Sequence, residues 1–321
     1  MKKLLTFVFS IFLLPLSSAS PMSNVECIAP AGVGGGWDFT CRVPAAQVMS
    51  DLKLVEGNIE VTNMSGAGGG KAYAHVVTKR KGDENLIVAA SMATAARLGQ
   101  NVYAGFDAND VRWLGALGAD YGVIAVAKDS PYQSIKDLLN AVNNGEKALF
   151  VGGSSAGGWD HLKVLILANK NGMKNLRKVN YVAFDNGGKA MLEVIGGRAD
   201  AFTGDTSEVL SNLDAGKIRI LAVLSPERVK RLGDAKTAKE QGLDVVGANW
   251  RGFYAPSGIS NAAYSQWVGN VMSVAQSPEW AELREKNGLA PFASFGADFE
   301  NFIREQVQVV RDLSQELGFM K

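Results

Sequence analysis

Cys27 to Cys41 reads CIAPAGVGGGWDFTC, a short apolar run that ends in a glycine-rich loop and passes into a helical pattern. Two more stretches repeat that order: Ser65 to Gly70 (SGAGGG) and Gly152 to Gly158 (GGSSAGG). Glycine lets the main chain turn tightly and bares consecutive N–H groups, and the following helix adds unsatisfied donors and the positive end of its dipole. Several such loops meeting in one cleft form an anion trap for carboxylates or phosphates without any reactive side chain.

Outward from these loops, apolar runs alternate with helical ones. Val25–Ala29 precedes Phe39–Leu52, Ile59–Asn63 precedes Lys71–Lys79, and Leu86–Ala90 precedes a further short segment. A second set follows: Ala148–Gly152 into Trp159–Asn169, Val179–Ala183 into Lys189–Ile195, Ala201–Thr203 into Glu208–Leu213, then Ile218–Leu224. This alternation predicts an α/β fold with a parallel sheet wrapped by helices in each of two lobes. Between the sets, Trp113–Leu117 and Gly122–Ala127 read as two strands separated by Gly118–Tyr121. Ser134, with Asp137 at capping-box spacing, opens a helix over Ile135–Val142. Pro44 predicts a late start or a kink in the first helix. After a strand within Val245–Ala255 the chain is helical over Ala262–Ala275, Pro278–Asn287 and Ala297–Leu317. A tail without strands is expected to pack on the first lobe, which places residues 20–124 plus 247–321 in lobe 1 and 125–246 in lobe 2.

Met1-Lys2-Lys3, the apolar run Leu4–Leu16 and Ser17-Ser18-Ala19 have the three regions of a signal peptide spanning residues 1–19, with cleavage expected near Ala19 and export to the periplasm. The apolar run is too short for a membrane anchor. Without Lys2 and Lys3 the chain holds 31 Lys and Arg against 32 Asp and Glu, a net charge of −1, which gives no reason to expect a nucleic-acid partner. The two cysteines, Cys27 and Cys41, bracket the first glycine loop. An oxidising compartment favours a disulfide between them over two buried thiols.

Spacing tests the chemistry of the loops. A dinucleotide fingerprint requires glycine where Lys71, Trp37 and Ser154 stand, and a phosphate-binding lysine loop ending at Gly70-Lys71 lacks its first glycine and its hydroxyl. Gly153–Gly157 matches the G-x-S-x-G nucleophile elbow, with Ser155 as the nucleophile. Its triad would need a histidine on a separate later loop, and the chain offers only His75 upstream and His161 six residues on. Two histidines and two bracketing cysteines leave little for a transition metal, while carboxylate ligation of calcium stays open. Ser91, Thr94, Ser154, Ser155, Thr203 and Thr206 stand near strand ends, where they either contact ligand or cap helices. Asp38, Asp160 and Asp205 either cap helices, or orient a loop or accept from a ligand hydroxyl. Arg42, Lys71, Lys189 and Arg251 are candidate cations, and Trp37, Trp159 and Trp250 either wall the cleft or fill the core.

The runs Ile28 to Asp38, Asn63 to Gly69, Ser134 to Leu139, Gly152 to Leu162 and Trp250 to Ser257 together resemble the tripartite tricarboxylate transporter substrate-binding proteins, the Bug family of periplasmic receptors. The resemblance covers essentially the whole mature chain. Glu26 to Ala31, Val111 to Leu114, Tyr181 to Phe184, Arg219 to Val223 and Arg251 to Tyr254 look like the tricarboxylate-binding branch. It implies a type II Venus-flytrap fold that catalyses nothing, needs no cofactor, and closes two lobes on a carboxylate, citrate first. It further implies delivery to the large and small membrane subunits of a transporter. The alternative readings are a receptor for another small acid such as an aromatic or amino acid, a periplasmic sensor that presents its ligand to a sensor kinase, and a secreted serine hydrolase. Carried onto this chain, the ligand-binding residues are Gly34, Gly35, Gly36, Trp37, Asp38, Gly66, Ala67, Gly68, Gly69 and Ser91 from the first lobe. Ser154, Ser155, Ala156, Gly157, Asn186, Gly187 and Asp205 come from the second. Val33 and Ser65 stand where the family usually has proline.

Overall fold

The computed structural model describes residues 21–318 apart from 104 and 185. The signal peptide read in residues 1–19 lies outside the described residues. The chain first lays down β1 (Met22–Ser23), β2 (Glu26–Ala29), helix α1 (Gly36–Thr40), β3 (Val55–Glu56), β4 (Glu60–Asn63), α2 (Gly70–Lys79), β5 (Leu86–Ser91) and α3 (Met92–Gly99). Strand β6 (Val111–Ala127) leads to α4 (Ile135–Asn143), β7 (Leu149–Gly152), α5 (Trp159–Lys170), β8 (Asn180–Ala183), α6 (Gly187–Ile195), β9 (Ala201–Asp205), α7 (Thr206–Asp214) and β10 (Ile218–Val223). The chain ends with β11 (Ala248–Pro256), α8 (Asn261–Gln276), α9 (Pro278–Lys286), β12 (Ser294–Phe295) and α10 (Gly296–Leu317).

The long sheet runs β4-β2-β5-β11-β6-β9-β7-β8, with β10 and β12 also on β6. Its outer wings are parallel, as predicted: β4-β2-β5 on one side and β9-β7-β8 on the other. The middle is antiparallel, because β11 runs against β5 and β6, and β6 runs against β9 and β10. The sheet is therefore mixed. The pattern of strand followed by helix holds where helices make the crossovers and fails where the chain passes between the lobes.

Strand β6 makes that passage. Residues 111–121 pair with β11, whereas residues 122–127 pair with β9 and β10. The expected break at Gly118–Tyr121 is absent, and one 17-residue strand serves both lobes. Its glycines mark close approach instead of a turn. A Cβ on Gly115 would stand 2.7 Å from the Phe295 ring, and one on Gly122 would stand 2.6 Å from Lys163 Cδ.

Pro44 produces no late start. Helix α1 starts early at Gly36 and continues through Cys41–Met49 in the wider π-helical winding, with Pro44 inside it. Wider winding tolerates a ring that lacks an N–H and crowds the preceding carbonyls. The terminal helices pack on the first lobe, α10 against α3 and β6, and α8 against β6. Trp280 Nε1 donates to Leu117 O at 2.6 Å and Trp267 Nε1 to Glu84 O at 2.8 Å, so both indoles bury their apolar rings and satisfy their donors. Trp250 is core, fully buried.

Candidate functional site

A cleft of about 390 Å³ opens between the lobes, and all three glycine loops reach it. The first loop follows β2 and is held by restraints within its own lobe. Cys27 and Cys41 are bonded across it. Asp38, buried on α1, accepts the Gly34 N–H at 2.9 Å, Asn63 Nδ2 at 2.8 Å and Arg42 Nε at 2.9 Å. Burial pushes the Asp38 pKa up, but the bonds from Arg42, Gly34 and Asn63 outweigh it and hold the carboxyl below its ordinary value. Gly35, Gly36 and Trp37 line the cleft, and Gly34 lines its continuation. Asp38 lies beneath them as the residue that shapes the loop.

The second loop seats on Trp37. Gly69 has φ +95, and a Cβ there would stand 2.7 Å from the Tyr103 hydroxyl and 3.1 Å from the Trp37 ring, so only glycine allows the contact. The Tyr103 hydroxyl donates to Gly68 O at 2.6 Å. Gly68 lines the cleft, whereas Gly66, Ala67 and Gly69 do not. Ser91, at the end of β5, accepts from Trp37 Nε1 at 3.1 Å and from the Ala93 N–H at 3.2 Å, so it caps α3 and positions the indole while lining the cleft.

The third loop belongs to the other lobe. Ser154 and Asp160 exchange two bonds: the Ser154 N–H donates to Asp160 Oδ2 at 2.8 Å, and the Asp160 N–H donates to Ser154 Oγ at 3.0 Å. Tyr181 donates to the Ser154 carbonyl. Ser155 Oγ accepts from Arg97, and the Gly157 carbonyl accepts from Gln100, both donors lying across the cleft. The Gly157 N–H donates to His161 Nδ1 at 3.0 Å. Burial pushes the His161 pKa down to about 4, and its ring stacks on Tyr181 at 4.6 Å. With its Nδ1 lone pair taken by the Gly157 N–H and its place on the helix that directly follows Ser155, His161 is not set as the base of a triad. Ser154 and Ser155 line the cleft; Ala156 and Gly157 do not.

Asn186 and Gly187 line the cleft, with Asn186 Oδ1 capping α6 through the Lys189 N–H at 3.0 Å. Asp205 also lines it, and its carboxylate is held by Lys163 Nζ at 2.7 Å and by Asn249 Nδ2. Thr94, Thr203 and Thr206 bond to the main chain of Ser91, Asp160 and Tyr121 and do not reach the cleft. Of the expected cations only Arg251 arrives, set against Gly36 and 3.1 Å from Asp120. Arg42 is taken by Asp38. Trp159 lines the cleft beside Trp37.

Sequence reasoning missed Arg97, Lys163, Glu208 and Asn249. Arg97 and Lys163 carried a readable signal, each being an isolated cation among the apolar and small residues of a helix, MATAARLG and HLKVLILA. A charge so placed must find a polar destination.

Two α/β lobes joined by crossing strands, with loops of exposed N–H groups facing a central cleft, define a solute-binding receptor. Residues 46–319 match the model described as "Tripartite tricarboxylate transporter family receptor", and the chain belongs to that family, whose members are receptors and not enzymes. It is 29% identical over 238 residues to a UPF0065 protein of Agrobacterium vitis, covering 74% of this chain and 66% of that relative. It is 23% identical to Protein BugT of Bordetella pertussis, covering 97% of this chain and 96% of that relative. The fold matches an R. palustris protein solved with adipate, at TM-score 0.80, 20% identity and coverage of 93% of this chain and 98% of that chain. MatC from Rhodopseudomonas palustris, with bound malate, matches at TM-score 0.76 and 19% identity, covering 92% of this chain and 99% of that chain.

Proposed function

We propose that the chain is exported with residues 1–19 removed, captures a small di- or tricarboxylate in the cleft, and delivers it to the membrane subunits of a tripartite tricarboxylate transporter. Citrate is the first candidate, and malate and adipate in two structures of the same fold keep dicarboxylates beside it. The change of partners along β6 at residues 121 and 122 supports lobes of residues 20–124 plus 247–321 and 125–246. One observation carries the reading: three glycine loops, two from one lobe and one from the other, present main-chain edges to the same cavity.

Backbone donors and helix ends recognise an oxyanion and leave its carbon skeleton to the surrounding side chains. Gly35, Gly36, Trp37, Gly68 and Ser91 are assigned to one face of the ligand, and Ser154, Ser155, Asn186, Gly187 and Asp205 to the other. A thermal-shift panel of citrate, malate, succinate and adipate on the mature chain tests this. A ligand present at one hundred times its Kd adds about 2.7 kcal/mol of stability. Silence across the whole panel overturns the reading.

A further inference from the structure

Arg97 projects from α3 into the cleft, between the second glycine loop and the third. A Cβ on Gly68 would lie 3.2 Å from Arg97 Nε, and one on Gly158 would lie 3.0 Å from Arg97 Nη2, so glycines on both lobes leave room for the side chain. Its hydrogen-bond acceptors are Gln100 Oε1 at 3.2 Å and Ser155 Oγ, both neutral. Among the described residues no carboxylate lies within ion-pairing distance of it. The other cation lining this cleft is compensated, since Arg251 stands 3.1 Å from Asp120 and 3.8 Å from Asp205. Lys163, buried behind the wall, is neutralised by Asp160 at 3.0 Å and Asp205 at 2.7 Å.

A half-buried guanidinium without an anion is unfavourable unless something bound supplies one. Burial lowers the Arg97 pKa, with only the phenols of Tyr103 and Tyr181 acting against it. We propose that Arg97 is the charge partner of the ligand, taking one carboxylate in the cleft while its bond to Ser155 ties that contact to closure of the lobes. The assignment rests on the carboxylate-receptor reading above and deepens it. Backbone loops accept any oxyanion, whereas a guanidinium fork selects a planar, fully ionised carboxylate group.

The test uses the mature chain, calorimetric titration with citrate, succinate and adipate, and the neutral diamides of succinate and adipate. The wild-type chain is expected to bind its preferred diacid roughly 100-fold more tightly than the matching diamide, the scale of a desolvated charge pair. Arg97→Gln is expected to cut that ratio to about tenfold or less while leaving the diamide Kd within about threefold, and Arg97→Lys to fall between. The ligand-free thermal midpoint of each variant reports its folding. Equal weakening of acid and diamide in Arg97→Gln reduces Arg97 to a loop support and overturns the proposal, as does an unchanged ratio. A wild-type chain that binds acid and diamide alike overturns it without any variant. A wild-type chain that binds none of these acids removes the receptor reading itself, a result distinct from the other three.

Discussion

The loop from Ala31 to Asp38 and the loop from Gly153 to Asp160 both follow a strand, enter a helix, and use an aspartate in the first helical turn to take a loop N–H. They differ in what holds them. The first is closed from within its own lobe, by the Cys27–Cys41 bond and by Asp38 with Arg42 and Asn63. The second is tied to Asp160, which is paired with fully buried Lys163, and its tip is tied across the cleft to Arg97 and Gln100. One loop is held within its own lobe, and the other shares its bonds between its own lobe and the facing one. Differential contacts of this kind are what let a ligand shift a receptor from open to closed.

The largest test of that contrast removes Lys163. Its Nζ donates to Gly204 O at 2.6 Å and to Asp205 at 2.7 Å, and lies 3.0 Å from Asp160. Lys163→Met strands buried carboxylates and is expected to cost about 3–5 kcal/mol in chemical denaturation. A loss below about 1 kcal/mol would show that the Gly153–Asp160 loop does not depend on this network.

Reduction of the disulfide breaks the first loop instead. A cross-link spanning a sequence separation of 14 contributes about 3 kcal/mol by chain entropy. The expected signature is a lower thermal midpoint with reductant, accompanied by faster amide exchange at Gly34–Gly36 and unchanged exchange at Ser154–Gly157. Equal acceleration in both loops would erase the distinction.

Acid separates the loops by pH. His161 has a folded pKa pushed down to about 4 from 6.5. Between those values the unfolded chain binds a proton that the native chain does not, so stability falls as pH falls, by at most about 1.4 kcal/mol per pH unit. His161→Gln is expected to flatten this slope. Asp38 is depressed below 3.8, so its contribution is complete above that value and is lost as pH falls through its folded pKa. The Gly153–Asp160 loop is therefore expected to loosen first, with NMR titration of Gly157 and Gly34 amides as the measurement. The smallest effect is Asp38→Asn, which keeps the shape and removes the charge, at about 1–2 kcal/mol. A neutral outcome there would assign the first loop to the disulfide alone.

Much of the fold was legible because its signals are local. Ser134 caps α4 through the Asp137 N–H at 3.1 Å, as the spacing predicts. The helices over Trp159–Lys170 and Asn261–Gln276 end within a residue or so of where periodicity placed them. Of the candidate site, the glycine loops were readable for the same reason, since tight turns and bare N–H groups are demands on one short segment. Arg97 was readable only as an isolated cation among small and apolar residues, because the lack of a carboxylate partner around it depends on what the fold packs there. Asp160 and Lys163 stand three residues apart on α5 and pair locally, while the pairing of Lys163 with Asp205 depends on α5 packing against β9.

The sequence by itself determined the alternating α/β pattern and the three loops, consequences of short-range backbone chemistry, and left its two cysteines one possible partner each within the chain. Tertiary structure alone decided that Gly118–Tyr121 continues a strand, that the first helix widens around Pro44, and that Arg97 meets Ser155 across the cleft. These depend on what residues far apart in the chain bring to the same place, where close approach and uncompensated charge become energies only after the lobes have packed.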